Sequence, residues 1–209
     1  MIVIDNVSKT LKGNKVLDNI DYVFVEGKIY GLFGRNGCGK TMFLRMVAGL
    51  IIPDEGTVTI DGKVLQKDIS FPESTGIVIE HMEMLPEYSA YDNLKILAKI
   101  NKIASDEDII KVIQDVGLDP YSKKKVRKYS LGMKQRLNIA QAIFENQKII
   151  LLDEPTNAID EDGIQLIYEK LKELRADGAT IIMATHNKED IEELCDAIIR
   201  IDGGRIVNE

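Results

Sequence analysis

Apolar residues change their spacing twice along this chain, and the changes outline its architecture. Near the start they alternate with polar ones, over Ile2 to Val7 and Leu17 to Val25, and again from Thr57 to Ile60, after which Asp61-Gly62 turns into Val64 and Leu65. A period of two predicts half-buried strands joined by turns. Within this region Lys28 to Phe33 forms a short apolar run, and Met42 to Leu50 has helical spacing. From Tyr91 the period lengthens: Leu94, Ile96, Leu97 and Ile100 share one helical face. Ser105 and Asp108 then start a helix that carries Ile109, Ile110, Val112, Ile113 and Val116 and ends at Gly117. A helical insert of about 50 residues is therefore predicted. Beyond Lys148, continuous apolar runs at Ile149 to Leu152, Ala179 to Ala184 and Ala197 to Ile201 alternate with helical stretches at Glu161 to Ala176 and Lys188 to Leu194. Buried strands that alternate with helices predict a parallel sheet covered on both faces.

Between the strand at 28–33 and its helix lies Gly34-Arg35-Asn36-Gly37-Cys38-Gly39-Lys40-Thr41, followed by Met42. The pattern G-x-x-x-x-G-K-[ST] puts glycine where the backbone turns tightly against phosphate oxygens. It sends Lys40 to the β- and γ-phosphates and offers the Thr41 hydroxyl to Mg²⁺. Strand, loop and helix start together make an anion site, because unpaired N–H groups and the helix dipole point the same way. This loop alone leaves kinases, GTPases and motor ATPases open. The run Ile149-Ile-Leu-Leu-Asp-Glu-Pro155 narrows the choice, since two carboxylates that end a buried strand are expensive unless both are used. Asp153 is placed to hold the metal through water and Glu154 to take a proton from attacking water. His186 follows the last residue of a buried strand and would stabilise charge at the γ-phosphate.

A second anion site is predicted at Ser130 and Gly132, in the segment Tyr129 to Ile143, where another helix starts. Two such starts do not easily reach one nucleotide unless two protomers face each other head to tail.

These motifs, in this order, resemble the nucleotide-binding subunit of an ABC transporter along the whole chain. GRNGCGKT matches the Walker A motif, Ile149 to Glu154 Walker B, Tyr129 to Met133 the signature, Ala158 to Asp160 the D-loop and His186 the switch histidine. The resemblance implies a single cassette over 1–209, a P-loop, RecA-type α/β core with a parallel sheet (1–85 and 140–209), an antiparallel β subdomain and a helical subdomain at 86–139. It implies ATP and Mg²⁺ as ligands, Leu11 and Val16 against the nucleotide, and Ser130 and Gly132 closing on a partner's γ-phosphate. It also implies two such subunits, alike or different, working beneath a membrane permease on the inner face of the cell membrane. The stretch Ile79 to Leu94, with Ser130 to Leu137, is similar to the bacitracin and lantibiotic exporter branch, which implies export of peptide antibiotics or other amphipathic compounds. Two positions depart from the common family pattern. Glu80 replaces the usual glutamine and can approach Mg²⁺ through oxygen but cannot donate as an amide. Leu11 stands for the adenine-stacking aromatic and offers contact without a π-face.

Rival readings remain. Asn187-Lys-Glu-Asp190 matches a guanine-reading motif, but a helix start with Asn187 as N-cap and Asp190 three residues on explains the same letters. A soluble ABC-type ATPase not coupled to transport is the main alternative, and a nucleotide-binding regulator without turnover is another. Lys123 to Lys128 reads as a solvated basic loop, and Met82, Met84, Leu85 and Pro86 as an adaptable apolar surface where the family docks its membrane subunit.

Composition limits the partners. The formal charge of −7 over 209 residues gives no global attraction for nucleic acid. No run approaches the roughly 18 apolar residues of a membrane span, and the start leads into a strand pattern rather than a signal peptide, so another chain is expected to supply the membrane. The two cysteines, Cys38 and Cys195, suit a reducing compartment. Cys38 reads first as a small residue that fits the loop and second as a reactive thiol at a helix start.

Overall fold

A computed structural model describes residues 1–79 and 82–207. The chain begins with β1 (Ile2–Leu11) and β2 (Asn14–Phe24), which pair as a hairpin. Both extend beyond the alternating stretches. Bulges after Ile4 and Val7, with Asn6 and Asn19 left-handed (φ 50° and 49°), break the polar–apolar rhythm while pairing continues to the turn. Asparagine tolerates that backbone better than most residues.

The core strand β3 (Ile29–Phe33) follows, then α1 (Lys40–Val47), β4 (Glu55–Ile60), β5 (Lys63–Val64) and β6 (Thr75–Val78). Helix α1 starts two residues earlier than its apolar spacing indicates, because Lys40 and Thr41 already adopt helical geometry. The helical stretch comprises α2 (Ala90–Asn101), α3 (Asp106–Asp115), a 3-10 turn at Val126–Lys128 and α4 (Leu131–Ile143). Ser105 and Asp108 form the expected capping box. Helix α4 starts among these helices and packs against β6, so it ties them to the sheet. The rest alternates: β7 (Ile149–Asp153), α5 (Glu161–Ala176), β8 (Thr180–Thr185), α6 (Lys188–Leu194), β9 (Ala197–Asp202) and β10 (Arg205–Ile206).

Among the described residues two sheets form, one antiparallel in the order β2-β1-β4-β5 and one of six strands in the order β10-β9-β3-β8-β7-β6. All pairs of the second are parallel except β10 with β9. Alternate residues of its strands feed separate cores. Ile150, Leu152, Ile181 and Met183 pack with the helices, whereas Leu151, Ile182, Ala184 and Leu32 pack with α1 and the antiparallel sheet. Burial on both faces explains why these strands read as unbroken apolar runs.

Register positions the site. Phe33 pairs with Thr185 and Asp153 with Ala184, so the residues that follow β3, β7 and β8 leave one edge of the sheet side by side. The carboxyl edge of an open parallel sheet is where such folds place ligands. Among the described residues no helix is long and apolar enough to cross a membrane.

Candidate functional site

The loop between β3 and α1 turns on Gly39, whose φ of 117° is left-handed and whose Cβ, if present, would lie 2.8 Å from the Val16 carbonyl oxygen. Only glycine fits there. Helix α1 begins without a side-chain cap, which leaves its first N–H groups and its dipole available to an anion. The buried Lys40 ammonium donates to the carbonyls of Gly34 (2.7 Å) and Arg35 (3.4 Å) and lies 4.0 Å from Oε1 of Glu154. The same N–H donors suit phosphate oxygens. An open cleft of about 340 Å³ lies here, lined by Asn36, Gly37 and Gly39 to Met42 together with Val16, Asp153 and Glu154. Cys38 packs inward, buried beneath the loop, as a small residue that fits it.

Thr41 Oγ1 donates to Asp153 Oδ2 at 2.6 Å, joining α1 to the end of β7. A hydroxyl and a carboxylate, both hard oxygens at the cleft wall, fit a Mg²⁺ ion that takes its remaining ligands from phosphate and water. Among the described residues no group of three or more His, Cys, Asp or Glu is arranged to hold a metal alone. Glu80 lies outside the described residues.

Glu154 has a left-handed backbone (φ 48°), rare for a non-glycine residue. Its N–H bonds the Ala184 carbonyl at 2.8 Å, and its Oε1 sits 2.8 Å from Nδ1 of His186. Such conformations cost of order 1–3 kcal/mol and concentrate at functional sites. Gln135 on α4, which sequence reasoning passed over, donates to the carbonyls of Pro155 (3.2 Å) and Glu154 (3.4 Å) and so braces the same turn. No local pattern distinguishes it from any other polar helix residue.

The structure therefore brings the phosphate loop, Val16, Asp153, Glu154 and His186 together. Leu11, at the far end of β1, is not part of the cleft wall. Ser130 and Gly132 stand apart from it, at the start of α4, where Ser130 is exposed and caps the helix by accepting the Met133 N–H at 3.2 Å. Asn187 is the N-cap of α6 as expected, accepting from Glu189 N–H, but Asp190 makes no capping box; its carboxyl is fully buried among hydroxyl groups.

A second groove, of about 240 Å³, brings Met82, Met84 and Pro86 together with Val126, Arg127 and Asn138. The basic residues of the loop beside it are exposed, as expected of a solvated loop, and Lys125 and Arg127 both bridge Glu87 at 2.8 and 3.4 Å.

Comparison with known proteins matches this arrangement. A family model described as "ABC transporter" matches residues 17–157. The chain is 57% identical over 206 residues to the uncharacterized ABC transporter ATP-binding protein YybJ of Bacillus subtilis (strain 168), covering 99% of this chain and 94% of the relative. It is 33% identical over 210 residues to the lantibiotic transport ATP-binding protein SrtF of Streptococcus pyogenes, covering 100% and 90%. Among solved structures it resembles a dimeric post-hydrolysis state of the ATP-binding cassette MJ0796 bound to ADP and Pi, with a TM-score of 0.89, 25% identity and coverage of 100% and 97%.

Proposed function

The chain belongs to the ABC transporter family as an ATP-binding subunit and is an ATPase, and from that premise we propose that it drives an exporter of peptide antibiotics or similar amphipathic compounds. The observation that carries the hydrolytic half is the convergence on Glu154, whose Oε1 lies 2.8 Å from His186 and 4.0 Å from Lys40. The base, the γ-phosphate sensor and the phosphate-binding lysine thus share one pocket. The name of the lantibiotic relative supports the exporter half.

In this mechanism the α1 amides and Lys40 would hold the phosphates of ATP, and Thr41 and Asp153 would hold Mg²⁺. Glu80 is a further proposed ligand. A metal held there would supply positive charge that offsets the charge developing on the phosphates. Glu154 accepts a proton from the attacking water, and His186 meets Glu154 through Nδ1 and presents its other ring nitrogen toward the γ-phosphate. Arg35 and Cys38 complete the loop that carries these groups, with Val16, and more peripherally Leu11, against the nucleotide. Ser130 and Gly132, remote from their own cleft, close on the nucleotide held by a second subunit. Dimer closure moves a permease seated in the Met82 groove, which keeps the subunit on the inner face of the membrane.

Coupling is tested at Met82, which is only partly buried, whereas Met84 packs against the core and would report stability instead. Met82→Asp, co-expressed with its membrane partner, is expected to abolish partner-stimulated hydrolysis and peptide-antibiotic resistance while the isolated subunit still hydrolyses ATP. Unchanged stimulation and resistance would contradict the docking assignment.

A further inference from the structure

Behind the catalytic edge, four polar side chains that the mechanism does not use meet in the interior. Asp190, on α6, is 0% exposed. Its Oδ2 accepts from Thr156 Oγ1 at 2.9 Å and from Thr185 Oγ1 at 2.6 Å, and its Oδ1 accepts from the Tyr168 hydroxyl at 2.6 Å. The Thr185 oxygen also accepts the Asn187 N–H at 3.0 Å. Thr185 has one proton and gives it to Asp190, so the carboxylate gathers three donors. Burial, reinforced by the hydrogen bond to Asp190, pushes the Tyr168 phenol far up, which keeps it a donor.

A buried carboxylate is unfavourable unless its oxygens are satisfied, and this one is satisfied by residues from three separate segments. Thr156 lies two residues after Glu154, in the turn beyond β7. Thr185 ends β8 and directly precedes His186, while Asn187, on its other side, is tied to the same hydroxyl. A single side chain thus fastens the backbone that presents Glu154 to the backbone that presents His186. On the cleft side those two residues meet at 2.8 Å.

We propose that Asp190 is a positioning residue for ATP hydrolysis, which sets the Glu154–His186 contact by clamping Thr156 to Thr185 from behind. The proposal rests on the roles given above to Glu154 and His186. Asp190 touches no nucleotide, so its loss acts on the chemical step rather than on binding. Misplacement of a catalytic group by about 1 Å can cost on the order of a hundredfold in rate. In Asp190→Asn the amide cannot accept three hydroxyl protons as the carboxylate does.

The test is steady-state ATP hydrolysis by the full chain, with ADP affinity and thermal melting measured alongside. Asp190→Asn is expected to lower kcat by about 10- to 100-fold while KM and ADP affinity stay within about threefold. Thr185→Val and Thr156→Val should act in the same direction, and Thr185→Ser, which keeps the hydroxyl, should restore kcat. In a His186→Ala background the further loss from Asp190→Asn should be less than about twofold, because the contact it sets is already gone. If Asp190→Asn does not fold, the threonine variants decide by the same criteria. Unchanged kcat in a folded clamp variant, or losses that multiply in the double variant, would overturn the clamp while leaving His186 in its role. Wild-type kcat for His186→Ala alone would overturn the underlying assignment, and the clamp with it.

Discussion

The carbonyl oxygen of Ala158 lies 2.4 Å from the point that a Cβ on Gly132 would occupy. Ala158 is itself left-handed (φ 63°), in the turn that follows Glu154 and Thr156. The first turn of α4 and the loop beyond Glu154 are therefore pressed together within one subunit, and Gly132 has a packing reason to be glycine in addition to its proposed role toward a partner's nucleotide.

Gly132→Ala must displace backbone, since nothing flexible intervenes. The expected cost is about 1–3 kcal/mol of stability, read as a lower melting temperature, together with at least a tenfold loss of kcat as the Ala158 turn shifts. An unaltered melt and unaltered turnover would mean that the two segments separate freely.

Thr41→Val removes the hydroxyl that meets Asp153 and keeps the volume of the side chain. Because that oxygen and Asp153 are the proposed Mg²⁺ ligands, the Mg²⁺ concentration needed for half-maximal hydrolysis should rise by more than about tenfold. ADP binding in EDTA should change by less than about threefold. Equal metal requirements for the two proteins would remove Thr41 from the metal site.

Cys195 should be chemically quiet. Burial first, then the carboxylates of Asp190 and Asp196, push its thiol up to about 12 from an ordinary 9.0. At pH 8 roughly one thiol in ten thousand is ionised, so iodoacetamide should label it at least a hundredfold more slowly in the native protein than after unfolding. A raised pKa means that the thiol's contribution to stability is fully present below pH 9 and fades as pH rises toward about 12. Cys195→Ala should therefore cost less stability at pH 10.5 than at pH 8. Rapid native labelling, or a pH-independent cost, would contradict the burial.

Much of this was legible in the sequence for identifiable reasons. Strands buried on both faces cannot hide, because β7 is apolar from Ile149 to Leu152 and β8 from Ile181 to Ala184, and the phosphate loop needs glycine at fixed offsets from Lys40. What escaped depends on contacts between distant segments. The Asp190 carboxyl meets Thr156, Tyr168 and Thr185 across 34, 22 and 5 positions, and its spacing from Asn187 imitates a capping box that does not form. The length of β1 was masked by bulges that reset the alternation. Leu11 was placed against the nucleotide by resemblance alone, because an exposed residue at a hairpin end, paired with Asn14, carries no local pattern that marks it.

The central claim is that ATP is held between two copies of this cassette, with Glu154 needed to break it down. Glu154→Gln, incubated with ATP and Mg²⁺ and measured by size-exclusion chromatography with light scattering, is expected to run at twice the subunit mass and to return to the subunit mass when Lys40→Ala is added. A Glu154→Gln protein that stays at the subunit mass at every ATP concentration, or that hydrolyses ATP at the wild-type rate, would contradict it.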